Sequence, residues 1–316
     1  MKNTCAELAK NLKENIAKVI VGKDSEIELI LTSVIAGGHV LMEDVPGTGK
    51  TKLAKSLARS LDMKFSRIQF TPDLLPGDVT GMSVYDQKTA SFEFTPGPVF
   101  TNILLADEIN RATPRTQSSL LECMEEKQVT VDGETRKLAA PFIVIATQNP
   151  IETQGTFPLP EAQLDRFLMR LRLGAPAGND AVFMLKRFMS KDPLNELAPV
   201  ASVTDITDAQ AACGSVELSD DVLGYIVALA EYTAKADNVI LGVSPRGMIA
   251  MMRASQALAL VRGRDFVTPD DIKSLALPVF AHRVIARGAF GKTGVSEEII
   301  RQALGAVPVP TEKARG

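Results

Sequence analysis

A short glycine-rich segment carries the clearest candidate chemistry in the sequence. It consists of Pro46, Gly47, Thr48, Gly49, Lys50, Thr51 and Lys52. A predicted strand precedes it and a predicted helix follows it, which is the setting of a phosphate-binding loop. Small residues let backbone N–H groups face phosphate oxygens, and the helix start adds a partial positive charge. Lys50 is expected to reach the outer phosphates of ATP, and Thr51 to bind Mg2+.

One position departs from the usual phosphate-loop pattern, because Asp44 stands where the first glycine is expected. Aspartate tolerates unusual backbone angles better than most residues. Its carboxylate is expected to point away from the phosphates. The alternative interpretation of the segment is an ordinary glycine-rich turn, which the register of Lys50 and Thr51 disfavours.

Two acids follow an apolar run further along the chain. Asp107 and Glu108 come directly after Ile103-Leu104-Leu105-Ala106, and open α/β sheets bind ligands at this end of their strands. Asp107 is expected to hold Mg2+ through water, and Glu108 to activate the attacking water. Alone, such a pair is usually a solvated strand end. Its place after the phosphate loop makes it a candidate catalytic pair.

Three more polar residues are candidates for the same site. Asn149 closes the next apolar run, where it could reach the γ-phosphate or simply form an Asn-Pro turn. Arg166 could pair with Asp165, or act as an arginine finger in the ATP site of a neighbouring subunit. Arg246 falls in the first turn of a predicted helix, where the helix dipole disfavours a cation. This placement suggests an anionic partner, either the γ-phosphate or a nearby aspartate.

The elements around these residues predict a doubly wound α/β core. Apolar runs that are nearly continuous, such as 142–146, are typical of strands buried on both faces of a parallel sheet. Helical stretches lie between them, which gives a βαβ rhythm. The sequence therefore predicts a five-stranded parallel sheet. Its candidate strands are 39–43, 65–70, 102–107, 142–147 and 167–173.

The chain divides into two predicted domains. Residues 1–175 form the nucleotide-binding core, and Gly and Pro residues mark a hinge before a helical lid domain over 178–306. Residues 307–316 are predicted to be a flexible tail. Two hairpins are inserted in the core, at about 81–97 and 127–138, and the second has an Asp132-Gly133 tight turn. In the lid, Ser219, Ser244, Thr268 and Ser296 are each expected to start a helix.

Composition and charge argue against several classes of protein. The net charge of −3 argues against a nucleic-acid partner, which usually requires a basic surface. The 3 cysteines and 2 histidines are too few and too scattered for a disulfide framework or a histidine-built metal site. No apolar run is long enough to span a membrane, so no membrane insertion is expected. The N-terminus lacks the pattern of a signal peptide, which favours a cytoplasmic protein.

In their order along the chain, these motifs resemble the MoxR family of AAA+ ATPases, over nearly the whole sequence. The segments that carry the resemblance are Val19-Ile20-Val21-Gly22-Lys23, 43–51, Arg67-Ile68-Gln69-Phe70-Thr71, Leu74-Leu75-Pro76-Gly77-Asp78, Asp107-Glu108-Ile109-Asn110-Arg111-Ala112, Ala146-Thr147-Gln148-Asn149-Pro150, Leu164-Asp165-Arg166-Phe167 and Ser244-Pro245-Arg246. Each is short, but their joint order is specific.

The resemblance implies a role for each motif residue. Lys50 and Thr51 correspond to Walker A, and Asp107 and Glu108 to Walker B. The remaining correspondences are Asn149 as sensor 1, Arg166 as the arginine finger, Arg246 as sensor 2, and Val21 and Gly22 at the adenine pocket. Together they place Lys50, Asn149 and Arg246 on one ATP, which a neighbour's Arg166 completes.

The resemblance also implies partners. Similar proteins are chaperone-like ATPases that assemble as homo-oligomeric, hexameric rings and act with von Willebrand factor A domain proteins. Their two hairpins point toward the ring pore. Three alternatives remain open: a magnesium-chelatase-like motor subunit, a DNA-engaging AAA+ motor, and a nucleotide-binding scaffold that switches without turnover. The sequence lacks the aromatic–apolar–Gly pore loop of AAA+ motors that unfold proteins.

Overall fold

The computed structural model describes residues 2–150, 155–189, 191–287 and 294–310. The helices are α1 (Lys2–Ala17), α2 (Asp24–Ile35), α3 (Lys50–Ser60), α4 (Pro76–Thr80), α5 (Pro114–Glu126), α6 (Glu161–Leu164), α7 (Gly178–Phe188), α8 (Val203–Cys213), α9 (Asp220–Lys235), α10 (Pro245–Val261), α11 (Pro269–Phe280) and α12 (Val295–Ala306). Short 3-10 helices are η1 (Ile109–Arg111), η2 (Pro193–Glu196) and η3 (Ala281–Arg283). The predicted tail is described only as far as Pro310.

The strands form one central sheet and three small ribbons. They are β1 (Val40–Glu43), β2 (Phe65–Gln69), β3 (Gly81–Asp86), β4 (Ser91–Pro96), β5 (Ile103–Asp107), β6 (Gln128–Val131), β7 (Glu134–Lys137), β8 (Ile143–Gln148), β9 (Met169–Leu171), β10 (Val239–Leu241) and β11 (Ile285–Ala286). The central sheet has the order β2-β5-β8-β1-β9 and is parallel throughout. The predicted five-stranded parallel sheet is therefore confirmed.

Side chains of the central strands alternate between two apolar layers. Leu105 and Ile145 pack into the layer that contains α1, α2 and α3, whereas Leu104 and Val144 pack into the opposite layer with α5. All four side chains are buried. This two-sided burial explains why the sequence shows continuous apolar runs instead of alternation. It also fixes the strand ends, which carry the polar residues, at one edge of the sheet.

The last strand, β9, is shorter than the predicted 167–173. The carbonyls of Phe167 and Leu168 accept hydrogen bonds from Arg283 of the lid. At the other end, the Leu173 amide donates to the carboxylate of Asp44. These backbone groups have side-chain partners from distant parts of the chain, which local sequence patterns do not reveal.

Both predicted hairpins are present, and they touch each other. In the first, Ser83 pairs with Phe94 and Tyr85 with Phe92. The second turns at Asp132 and Gly133, which have φ angles of 53° and 79° as a tight hairpin turn requires. Ser83 donates to the Asp132 carboxylate across the two hairpins over 2.5 Å. The hairpins therefore form one joined projection from the core.

The lid is helical apart from the β10–β11 ribbon. The hydroxyls of Ser219 and Ser244 cap α9 and α10, and Thr268 forms a capping box with Asp271 at α11, as the sequence predicts. The final helix begins at Val295, one residue before the predicted Ser296 start. Lid helices pack on α1 and α2, and a single apolar cluster runs through both. Within the described residues, no helix is both long and apolar enough to cross a bilayer.

His39 is a buried histidine that links two layers of the core. Its Nε2 donates to the Met124 carbonyl, and its Nδ1 accepts from the Val144 amide, each over 3.0 Å. Burial lowers the pKa of His39 to about 4. A protonated ring would have to present a donor to the Val144 N–H, so the folded state holds the neutral form.

We expect the protein to lose stability as the pH falls from about 6.5 towards 4. In this window unfolded His39 binds a proton that folded His39 does not, so the free energy of unfolding decreases by roughly 2 kcal/mol at pH 5. The pKa of His282, also lowered by burial, acts in the same direction. Urea unfolding at pH 7 and pH 5 tests this, with His39→Gln expected to show a smaller decrease than wild type. Equal decreases in the two proteins would contradict the role of His39.

Candidate functional site

The phosphate loop has the backbone that its glycines predict. Gly47 and Gly49 have φ angles of 86° and 95°, a region that side-chain-bearing residues rarely adopt. Gly49 directly precedes α3, so the loop amides and the helix start face the same space. Lys50 Nζ donates to the Asp44 carbonyl over 2.8 Å. The pKa of Lys50 is lowered, chiefly by burial, while nearby carboxylates, first that of Asp44, oppose the shift.

Asp44 points away from the phosphate loop, as the sequence analysis expects. Its carboxylate accepts hydrogen bonds from the backbone amides of Leu173 and Gly174, over 2.5 and 3.0 Å. The side chain is buried. The aspartate at the usual glycine position therefore ties the start of the loop to the chain that leaves β9.

The two acids at the end of β5 are joined through Thr147 of β8. The Thr147 hydroxyl donates to Asp107 Oδ1 over 2.6 Å and accepts from the Glu108 amide over 2.9 Å. Glu108 has a left-handed backbone, with φ of 56° and ψ of 50°. Such a conformation is uncommon for a residue with a side chain and is often found at functional sites. It turns the chain so that both carboxylates border the pocket beside Lys50.

Two residues of β2 that the sequence analysis did not assign complete this acidic edge. Arg67 donates to Asp107 Oδ2 through NH2 and Nε, over 2.7 and 3.2 Å. Gln69 Nε2 donates to Glu108 Oε2 over 2.8 Å. A signal was available in the sequence, because the alternation of β2 buries Ile68 and leaves Arg67 and Gln69 on the other side. Each candidate catalytic acid therefore has its own partner from β2.

These groups line one pocket of about 600 Å3, a size within the usual range for small-molecule sites. The loop, both acids and Asn149 form its polar wall, and Met184 and Phe188 of α7 form an apolar wall. A connected smaller space is bordered by Val21. Gly22 lies against α7, where an added Cβ would come within 2.2 Å of the Asp180 carboxylate. Its lack of a side chain lets α7 lie close to the pocket.

The Lys52 side chain lines the pocket and contacts two residues at its rim. Its Nζ donates to Asp192 over 3.1 Å and lies 3.7 Å from the ring centre of Phe188. These contacts link the phosphate loop to α7 and to the turn that follows it, while both Lys50 and Lys52 border the pocket.

The residues at this edge fit Mg2+ bound together with a nucleotide. Thr51 and Asp107 both border the pocket, and Mg2+ commonly takes one or two protein oxygens while phosphates and water supply the rest. Within the described residues, no cluster of three or more His, Cys, Asp or Glu side chains could hold a metal ion. Thr51 and Asp107 would thus supply protein oxygens to a Mg2+ whose other ligands are phosphate oxygens and water.

Arg166 and Arg246 lie together, away from the residues that line this pocket. Arg166 Nε is 3.1 Å from Glu125 Oε2, and Arg246 NH2 is 3.2 Å from Glu125 Oε1. Neither arginine borders the pocket. Arg246, which is predicted to reach the ATP of its own subunit, contacts Glu125 in this structure and is not among the residues that line the pocket. One carboxylate on α5 contacts both guanidinium groups.

Comparison with known proteins shows the family to which the chain belongs. Residues 39–169 match the profile described as ATPase family associated with various cellular activities (AAA), and residues 231–303 match the AAA lid domain. The chain is 38% identical to Chaperone MoxR1 of Mycobacterium tuberculosis, over 95% of this chain and 81% of that protein. It is 32% identical to Protein MoxR of Methylorubrum extorquens, over 96% of each chain. The chain belongs to the MoxR family of AAA+ ATPases.

Two further relatives extend the match of this MoxR-family protein. It is 50% identical to the Bacillus subtilis protein YeaC, which is uncharacterised, over 95% of this chain and 94% of that protein. A crystal structure of a proposed ATPase from Cytophaga hutchinsonii superimposes with a TM-score of 0.90 at 37% identity, covering 98% of this chain and 97% of that one. The AAA+ fold and the MoxR assignment predicted from the motifs are therefore confirmed.

Proposed function

We propose that this protein hydrolyses ATP to ADP and phosphate, and uses the reaction to remodel or mature a partner protein complex. The observation that supports ATP hydrolysis is the convergence of Lys50, Asp107, Glu108 and Asn149 on one pocket. They come from α3, from the end of β5 and from the residue after β8, which are widely separated in sequence. A nucleoside triphosphate is the ligand whose binding and hydrolysis use all four types of group together.

Within one subunit, each group has a distinct task. The loop amides and Lys50 bind the phosphates, and in doing so Lys50 exchanges the Asp44 carbonyl for phosphate oxygens. Thr51 and Asp107 would hold Mg2+, which neutralises phosphate charge when bound. Glu108 orients and deprotonates the attacking water, and Asn149 fixes the γ-phosphate or that water. The hydrogen bond from Gln69 occupies only Oε2 of Glu108 and orients the carboxylate, whose other lone pairs can accept a proton from water.

We further propose that Arg166 and Arg246 act on the ATP of a neighbouring subunit in a ring. Both lie away from their own pocket, and one Glu125 carboxylate partly neutralises two guanidinium groups. Two guanidinium groups that share one carboxylate retain N–H donors that suit an anion brought by another copy of the chain. Because guanidinium groups stabilise charge on the transferred phosphoryl group, the ring completes each site. A hexamer is the size that the family resemblance implies.

We propose that the joined hairpins are the part of the protein that acts on the partner during the ATP cycle. Val84, Tyr85 and Phe92 are exposed on the first hairpin, and the Phe92 side chain is the most open of the three at 73%. Exposed aromatic side chains provide contact area for another protein. The relative named Chaperone MoxR1 supports action on proteins. We propose a von Willebrand factor A domain protein as the partner, on the basis of the family resemblance.

The test of ATP turnover is its dependence on protein concentration. Phosphate release per subunit is expected to rise with concentration in the presence of Mg-ATP, because the arginines of one subunit complete the site of another. Lys50→Ala should bind ATP weakly and release little phosphate at any concentration. Exposed Lys10→Ala on α1 is a suitable control and should behave as wild type. Absence of measurable Mg-ATP binding by concentrated wild-type protein would contradict the proposal.

A further inference from the structure

Arg283 is an almost completely buried arginine at the end of η3 in the lid, with a side chain only 2% exposed. Its Nε donates to Asp165 Oδ1 over 2.6 Å. Burial lowers the pKa of Arg283, and the Asp165 carboxylate opposes that shift. Buried charges are costly unless they are paired and hydrogen-bonded. The contacts of Arg283 with its surroundings are therefore a strong constraint on local structure.

Other donors of Arg283 bind backbone carbonyls around Arg166, and its NH1 also contacts the Val279 carbonyl and the His282 ring within the lid. Its NH2 donates to the carbonyls of Asp165 and Phe167, over 3.1 and 2.7 Å, and its NH1 donates to the Leu168 carbonyl over 3.2 Å. These carbonyls lie on both sides of Arg166 in the chain. The rigid fork of one guanidinium thus holds the turn from which Arg166 projects.

Helix α10 of the lid leaves room for the Arg283 side chain and adds a second contact with Asp165. Gly247, in the first turn of α10, lies against the Arg283 side chain, and an added Cβ would come within 2.9 Å of Arg283 Cδ. The hydroxyl of Ser244 donates to Asp165 Oδ2 over 3.3 Å. Arg246, which follows in the same helix, meets Arg166 at Glu125. The lid therefore contacts residues 165–168, here called the finger segment, from η3 and from the start of α10.

We propose that Arg283 is a positioning residue for the arginine finger, because it fixes the turn that carries Arg166 to the lid. This inference rests on the proposed action of Arg166 on a neighbour's ATP. A movement of the lid in one subunit is then transmitted to the guanidinium that serves the next subunit. Arg283 touches no nucleotide itself. Its loss lowers turnover at the neighbouring site and leaves the ATP site of its own subunit intact.

The test uses Arg283→Lys, which keeps the positive charge but loses the fork. We expect kcat to fall by roughly tenfold or more, because displaced catalytic groups are costly, while the KM for ATP stays within about twofold. Arg262→Lys is the matched control. Arg262 joins the lid to Glu28 of α2 and to Asp271, away from the finger segment, and its substitution should leave kcat nearly unchanged. Unchanged kcat in Arg283→Lys would overturn the proposal.

Mixed rings separate positioning of the finger from a general structural effect. Subunits with Glu108→Gln have an inactive site but an intact finger, so they should restore turnover at neighbouring Arg283→Lys sites, as they should for Arg166→Ala sites. Rescue of Arg166→Ala without rescue of Arg283→Lys would overturn this inference alone. Failure to rescue Arg166→Ala would remove the trans role of Arg166 and the inference with it. If Arg283→Lys does not fold, Asp165→Asn is subject to the same comparisons and the same criteria.

Discussion

Replacing Glu108 with glutamine is expected to abolish ATP turnover while leaving ATP binding intact. The amide keeps the shape of the side chain and can still contact Gln69, but it cannot accept a proton from water. General-base loss of this kind costs roughly 10²–10⁴-fold in rate. Phosphate release and binding of a fluorescent ATP analogue measure the two properties separately. Glu14→Gln, at an exposed position of α1, is the control and should match wild type.

The Glu108→Gln protein is also the best reagent for finding the partner. Because it holds ATP without hydrolysing it, it should remain assembled, and light scattering of this state gives the size of the ring. Affinity capture in the same state should retain the partner complex that wild type releases on turnover. Unchanged turnover in Glu108→Gln would remove Glu108 from its role as base, and would direct attention to another group beside the pocket.

Arg166→Ala is expected to reduce turnover by about 10³-fold or more, the usual effect of losing an arginine finger. Arg246→Ala should behave similarly, because both guanidinium groups share Glu125. In each case the nucleotide affinity of isolated subunits should be unchanged, since neither arginine borders the pocket. Exposed Arg253→Ala on the same helix as Arg246 is the control. Turnover assays of single variants and of mixtures with Glu108→Gln subunits provide the measurement.

The mixtures decide where Arg246 acts. Restoration of turnover in both arginine variants places both residues on the ATP of the next subunit. Restoration for Arg166→Ala but not for Arg246→Ala would instead assign Arg246 to the ATP of its own subunit, the position that its motif predicts. The distinction matters because it decides whether the lid senses its own nucleotide or that of its neighbour.

Local sequence signals were sufficient for most of the fold and for the centre of the site. Two-sided burial of β5 and β8 produces the nearly continuous apolar runs from which both strands were predicted. The phosphate loop is equally local, because Gly49, Lys50 and Thr51 are consecutive. Helix caps such as Ser219 and Ser244 lie directly before the turns that they satisfy. In all these cases the physical cause and its signal lie within a few residues.

The partners of the site residues could not be predicted in the same way. Arg67 meets Asp107 across 40 positions of the chain, and Arg283 meets Asp165 across 118. Nothing near Arg246 in sequence indicates Glu125 as its partner. These pairs depend on how strands are ordered in the sheet and how the lid lies on the core, so they emerge only from the assembled fold.

The apolar cluster shared by α1, α2 and the lid limits how this protein can move. Ile30 of α2 and Met251 of α10 are both buried in it. A wide swing of the lid would expose this surface to water, at roughly 25 cal/mol for each Å2. Small sliding of packed helices avoids that exposure. The conformational change during the ATP cycle is therefore expected to be a small sliding of the lid helices against α1 and α2. It would not open the two domains, but it would be enough to move the Arg166 side chain.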